Sequence, residues 1–276
     1  MSEKKNLVYY LYTTIPGRIL LKWIQKCHAD HLVVRFLRSG FSRPFLRWYI
    51  KHNEINLPDN EQKYWSFREF FVRNRGAAGV DLVPGHLISP CDGWLSAYPI
   101  QKDSNFFIKG SRYQVGDFLE DYNLARNYEG GVCLVFRLSA SDYHHYLYID
   151  DGYQGKNHFI PGILHSVQPI ACRSYPVYVL NRRSWCLLTT ENFGPVVQTE
   201  IGALIVGGIV NYRENTRVCK GMEKGFFDLA GSTIVLLFEP ERICILPGLK
   251  SEMDKKKEVR VEMGQKIAYR FGKARL

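Results

Sequence analysis

Residues 225–238 read GFFDLAGSTIVLLF. From Ser232 onward the run is apolar and β-branched, and Gly231 stands just before it, so it reads as a buried strand entered through a turn. The chain around it has the same character. After Gly76, short apolar or alternating runs are separated by Gly, Pro, Asn and Asp: 130–138 (GGVCLVFRL), 176–180 (PVYVL), 184–190 (SWCLLTT) and 195–210 (PVVQTEIGALIVGGIV). That punctuation predicts a β-dominated body.

Further out, toward the N-terminus, the period changes to that of a helix. Pro16 suits the first turn of a helix, where its missing N–H costs nothing. Ile19, Leu20, Trp23, Ile24 and Cys27 then fall on one face, and Arg18, Lys22, Gln25 and Lys26 fall largely on another. A second apolar stretch ends at Ser39-Gly40, a third helix starts after Pro44 and runs to about Lys51, and residues 61–74 (EQKYWSFREFFVRN) predict another. The fold class is therefore α+β. The expected division is a helical, membrane-associating region over 1–60, a β-rich body over 61–249 and a charged, exposed tail over 250–276.

Charge is unevenly spread. The net charge of the chain is +10, with ten basic and two acidic residues in 1–51 and nine basic and four acidic in 250–276, so the middle is mildly acidic. Basic ends suit polyanions, either nucleic acid or an anionic membrane surface. Tyr9, Tyr10, Trp23, Phe36, Phe45 and Trp48 among the N-terminal cations favour the membrane surface, and no nucleic-acid motif is present. Packing of the same helices on the body is the other reading, and a helix has faces enough for both. No apolar run reaches the roughly 20 residues of a membrane span, and Lys22 and Lys26 interrupt what would be a signal peptide. The seven Cys are scattered, with no C-x-x-C pair, which predicts buried thiols rather than disulfides or zinc. His28 and His31 are three apart on a predicted helix but lack a supporting ligand set, so no metal is expected.

A Gly-Ser bond can do more than turn the chain. Held in strain, it can undergo an N-to-O acyl shift in which the Ser232 hydroxyl attacks the Gly231 carbonyl. β-Elimination of the resulting ester frees a Gly231 C-terminus, and hydrolysis of the dehydroalanine leaves a pyruvoyl group and ammonia. Gly at 231 suits this chemistry because it has no Cβ to block attack.

Here a resemblance adds to the residues. Ala230-Gly231-Ser232-Thr233 followed by IVLLF is similar to the L-G-S-T processing site of phosphatidylserine decarboxylases, and KGMEKGFFDL (220–229) resembles that family's lead-in to it. YWSFREFFVR (64–73), LISPCDGWLS (87–96), FRLSASDYHHYLYIDDG (136–152), FIPGILHSVQPIA (159–171) and ENFGPVVQTEIGALIVGGI (191–209) resemble further motifs of the family, in the family's order.

The resemblance implies a bacterial, pyruvoyl-dependent proenzyme that cuts itself into a large chain, 1–231, and a small chain, 232–276, and needs no external cofactor. The pyruvoyl ketone, made from Ser232, would condense with the amine of phosphatidylserine and take up the electrons left when CO₂ departs. The protein would be peripheral on the cytoplasmic face of the cell membrane, and a homodimer is compatible with the family. It further implies that Asp92 supports the base in self-cleavage and that His144 acts as base or proton donor. Many members carry a second His three residues after the first, as in D-Y-H-R-x-H. Here the segment reads Asp142-Tyr143-His144-His145-Tyr146-Leu147, so Leu147 stands where that His is expected. His144, His145 and His165 are the candidates for the missing base. Two other readings stay open: a pyruvoyl decarboxylase for a soluble amino acid, and a membrane-bound relative that never cleaves.

Overall fold

The computed structural model of the chain describes residues 7–26, 30–52, 55, 64–73, 76, 79–108, 111–139, 141–163, 165–167, 169–203, 208–229 and 232–272. Gly231 lies outside the described residues; Ser232 lies within them and is the first residue of its strand.

Ser232–Phe238 is a central strand, buried along its whole length, and that is why its sequence is uniformly apolar where a one-sided strand would alternate. It pairs antiparallel with Gly194–Ile201 on one side and Val132–Leu138 on the other. The sheet extends from Gly194–Ile201 through Arg183–Thr190, and from Val132–Leu138 through Gly93–Pro99 to Val259–Val261 at the edge. Leu95, Leu134, Phe136, Ile234 and Leu236 line one face and pack with Met253, Ile267 and Ala268. Val135, Val197, Val235 and Leu237 line the other face and pack with Phe118, Tyr128 and Tyr178.

A separate three-stranded sheet of Gly208–Asn211, Glu223–Asp228 and His145–Leu147 carries the chain into the central strand. Between its last residue, Asp228, and Ser232 lie only residues 229–231.

Among the described residues five α-helices precede the body: α1 (Leu7–Thr13), α2 (Ile15–Lys26), α3 (Asp30–Arg38), α4 (Arg43–His52) and α5 (Phe67–Phe71). Ser66 caps α5 by accepting the Glu69 N–H at 3.2 Å, while Glu69 accepts the Trp65 N–H at 2.6 Å, a reciprocal pair that fixes the start of this short helix. Leu37 of α3, Leu46 and Tyr49 of α4 and Phe67, Phe70 and Phe71 of α5 form a third apolar cluster, which also takes in Leu229.

The structure departs from the sequence reading in three places. Residues 176–180 form a short helix, Val177–Leu180, rather than a strand; Pro176 starts it, and the run is too short for its β-branched residues to decide. The charged stretch 250–262 is mostly exposed as expected, yet it is built into the body: Pro247–Lys256 is a helix, Val259–Val261 adds an edge strand to the main sheet, and beyond it Lys266–Arg270 pairs with His86–Ile88. Val259 and Val261 point inward and Arg260 outward, an alternation that the surrounding charges obscured. Third, Cys91, Cys133, Cys172 and Cys186 are buried thiols as expected, but Cys219 is exposed.

Candidate active site

The site is built where the central strand begins. Ser232 is 1% exposed, and its Oγ has no hydrogen-bond partner among the described residues. A buried hydroxyl without a partner is unfavourable by about 1–3 kcal/mol, and the adjacent Thr233 hydroxyl is in the same state among the described residues. Ser232 is register partner to Leu138, and Arg137, next to it, pairs with Trp94 of the neighbouring strand. Gly93 and Asp92 therefore lie at the same end of the sheet, two strands from Ser232 or about 10 Å across. Gly93 is required there, because a Cβ at this position would come 2.8 Å from the Arg137 carbonyl oxygen.

Asp92 is 4% exposed, and its Oδ1 accepts the Met263 N–H at 2.9 Å. The Pro90 carbonyl in the same loop accepts the Leu147 N–H at 2.8 Å. Leu147 is itself buried against Tyr143 and Met263. The position that would carry a second histidine is thus beside the Asp92 loop and is filled by hydrocarbon.

His144 follows Leu138, the register partner of Ser232, through a turn. Asp142 Oδ2 accepts the Ser139 N–H at 2.6 Å, the Ser139 carbonyl accepts the Asp142 N–H at 3.0 Å, and Arg260 pairs with Asp142 at 2.7 Å. The His144 carbonyl then accepts the Phe227 N–H at 2.9 Å, which ties it to the strand that leads to Ser232. The His144 ring is fully buried, lies 4.0 Å from the Phe71 ring centroid to centroid, and has neither nitrogen hydrogen-bonded among the described residues. Burial drives its pKa down to about 3, so the ring is neutral at physiological pH with a lone pair to offer.

The other two histidines are engaged. His145 Nδ1 lies 2.5 Å from Glu223 and Nε2 lies 3.1 Å from the Val72 carbonyl, and its ring stacks on Tyr143. His165 has Nδ1 3.0 Å from the Tyr12 hydroxyl. That hydroxyl already accepts the Ser166 N–H at 2.9 Å, so its own proton goes to His165 Nδ1. Burial lowers the His165 pKa too. Asn181 joins the His165 carbonyl and amide to the Gly202 carbonyl, one register step beyond the Ile201–Thr233 pair. His165 therefore stands at the same end of the sheet as Ser232, but it packs with Tyr12 and Tyr175, on the side of Ile201 and Val167. The Ser232 side chain belongs to the other face, with Ile234 and Leu236.

Sequence patterning missed a buried polar network on Ser232's own face. Lys224 and Glu200 are both fully buried and pair at 2.9 Å. Asn211 accepts from Lys224 at 2.8 Å and donates to Glu200 at 3.1 Å, and Gln198 donates to Glu200 at 3.1 Å. Glu200 is register partner to Ile234, diagonal to Ser232. The available signal was a carboxylate in the middle of a strand that otherwise reads as core.

The chain matches the sequence profile described as phosphatidylserine decarboxylase over residues 67–269. It belongs to the phosphatidylserine decarboxylase family. Among its relatives, "phosphatidylserine decarboxylase proenzyme 2" of Clostridium acetobutylicum is 40% identical over 96% of this chain and 92% of that protein. Phosphatidylserine decarboxylase proenzymes of Fusobacterium nucleatum and Clostridium perfringens are 34% and 32% identical, over 87% and 95% of this chain and 86% and 92% of theirs. The family profile spans Asp92, His144, His165 and Ser232 and begins at the Phe67 end of α5, leaving helices α1 to α4 outside it.

Proposed function

We propose that this chain cuts itself at Gly231–Ser232 and, with the pyruvoyl group so formed, converts phosphatidylserine to phosphatidylethanolamine and CO₂ at a membrane surface. The observation that carries the reading is Ser232 itself: a buried hydroxyl without a hydrogen-bond partner among the described residues, first in a central strand, directly after Gly231 in the chain. A pyruvoyl ketone at this position supplies an electron sink for decarboxylation, and no external cofactor is needed.

His144 is the proton acceptor in this reading. Supporting this, it follows Leu138, the register partner of Ser232, by six residues, its ring is neutral, and neither ring nitrogen has a hydrogen-bond partner among the described residues. It takes the Ser232 proton as Oγ attacks the Gly231 carbonyl carbon, and the C–N bond then breaks to give the ester. Loss of the Ser232 Cα proton expels the Gly231 carboxylate, and water releases ammonia. Asp92, anchored by the Met263 amide, holds the loop across the sheet end in place. His145 braces Glu223 and the end of α5, and His165 orders the loop on the far face, so neither is assigned the base.

The membrane part of the reading rests on the helices. The apolar face predicted for α2 is turned outward: Ile15, Ile19, Leu20 and Trp23 are exposed, and Leu21 is what packs inward. Leu32, Val33 and Phe36 of α3 and Phe45 and Trp48 of α4 are exposed as well, flanked by Arg35, Arg43 and Arg47. Among the described residues no helix is long and apolar enough to cross a membrane. Apolar side chains interleaved with arginine suit the interface of an anionic membrane, here the cytoplasmic face of a bacterial cell membrane. The same features disfavour a soluble amino acid as substrate.

The test is direct. Purified protein should run as two pieces, 1–231 and 232–276, with a blocked pyruvoyl terminus on the smaller by mass spectrometry. It should release CO₂ from phosphatidylserine in mixed vesicles. An intact chain under active conditions overturns the proposal.

A further inference from the structure

We infer that Arg38 and Arg68, by gripping Asp228 from two different helices, are positioning residues for scission of the Gly231–Ser232 bond. The inference rests on the self-cleavage proposed above and adds a part to it that lies outside the Ser232–His144–Asp92 group.

Asp228 ends the strand that leads to the processing site and is 5% exposed. Arg38, in the last turn of α3, donates to its Oδ2 at 2.9 Å. Arg68, in α5, donates through Nε at 2.8 Å to Oδ1 and 3.0 Å to Oδ2. Two guanidinium groups on one shielded carboxylate make charge-assisted bonds that are among the stronger polar contacts a protein forms. On the other side the strand is closed in by Gly208, where a Cβ would come 2.8 Å from the Asp228 Cβ. Asp228 is held from both directions.

The next residue shows what the grip accomplishes. Leu229 has φ +63, a left-handed conformation that disfavours a side chain with a Cβ by about 1–2 kcal/mol. Its side chain is 1% exposed, buried with Phe67, Phe70 and Phe71 of α5 and Leu46 of α4. The other end of the segment is fixed as well, because Ser232 is locked in register with Leu138. Asp228 and Ser232, only four positions apart in the chain, are thus each held by contacts to other elements. The unfavourable φ at Leu229 is retained where its side chain is packed and its neighbour Asp228 is gripped, so the placement of Asp228 limits how the Gly231–Ser232 bond can be presented to the Ser232 hydroxyl. The helical layer that carries the exposed apolar side chains thereby also holds the strand end from which the chain enters the processing segment.

The experiment follows intact precursor made by cell-free translation as it converts to two pieces on a denaturing gel, with Tm measured on a Ser232→Ala background so that cleavage does not confuse it. Arg38→Ala/Arg68→Ala should slow the first-order conversion by about tenfold or more, corresponding to about 1.4 kcal/mol of lost positioning. Arg38→Lys/Arg68→Lys keeps the charges and should recover much of the rate, a rescue that loss of folding alone does not predict. Should the alanine pair fail to fold, Asp228→Asn removes the attraction with little change in shape and should slow conversion similarly. Wild-type rate in folded alanine variant, or in Asp228→Asn, overturns the inference. A wild-type chain that does not cleave overturns the proposed function instead.

Discussion

His144 and Phe71 lie with their rings 4.0 Å apart, and burial of the imidazole outweighs the nearby Asp142 backbone, the one neighbour that favours its protonated form. An imidazole so enclosed resists protonation, with its pKa lowered to about 3 against an unfolded value near 6.5. The unfolded chain therefore binds the extra proton between those values and the folded chain does not. Stability should be fully present above about pH 6.5 and should fall by up to about 1.4 kcal/mol per pH unit from this group as pH drops toward 3. His165, also lowered by burial, acts in the same direction. Urea unfolding of the Ser232→Ala precursor between pH 7 and pH 4 measures this. His144→Phe should flatten part of the slope and abolish cleavage of the otherwise wild-type chain.

Ser232→Ala should leave a single band near 32.0 kDa and no decarboxylase activity. It should also stabilise the precursor, since it removes a buried hydroxyl that no described residue satisfies. The expected gain is about 1–3 kcal/mol. For comparison a cleavage-blocked reference is needed, and His144→Phe/Ser232→Ala against His144→Phe provides it by thermal unfolding.

Lys224→Met should be among the most destabilising single changes in the chain. It strands the Glu200 carboxylate in a fully buried position, at a cost of about 3–5 kcal/mol. Lys224→Met/Glu200→Gln should recover part of the loss, because no naked charge is left. Chemical denaturation of the four members of this cycle gives the coupling. Equal stability of the two variants would remove the ion pair from the account of this face.

Trp23→Ser, Phe41→Ser and Trp48→Ser should weaken sedimentation with vesicles containing phosphatidylserine. Phe41 is 85% exposed, Trp23 62% and Trp48 56%, so none of them is needed to close the core. Each burial in lipid contributes about 1.5–3 kcal/mol, which makes the expected loss about tenfold or more per substitution. Raising salt should weaken binding further through the arginines.

The chain's order of motifs made the family legible and proposed Ser232, Asp92 and His144 for its site, and the apolar run after Gly231 made the central strand legible. The long-range pairings were not. Tyr12 and His165 are 153 residues apart, and Arg68 and Asp228 are 160 apart; local spacing carries no trace of either. The outward turn of α2 was hidden for a related reason. Periodicity shows that Ile19, Leu20 and Trp23 share a face but not which way that face looks, and here it looks away from the core. The deficit at Leu147 could be read as a missing base, but only its packing against Met263, whose amide holds Asp92, shows that the place has been taken over by hydrocarbon.

The interlacing of residues 232–272 has a consequence for the cut protein. With the cut at the proposed bond, the small piece would supply the middle strand and an edge strand of one sheet and the central strand and an edge strand of another. Its two fragments are joined by the same buried surface that folds the uncut chain. Their separation is therefore an unfolding event rather than a dissociation of subunits. Dilution should leave them together, and a fresh small fragment added later should not exchange in unless the whole body is first melted.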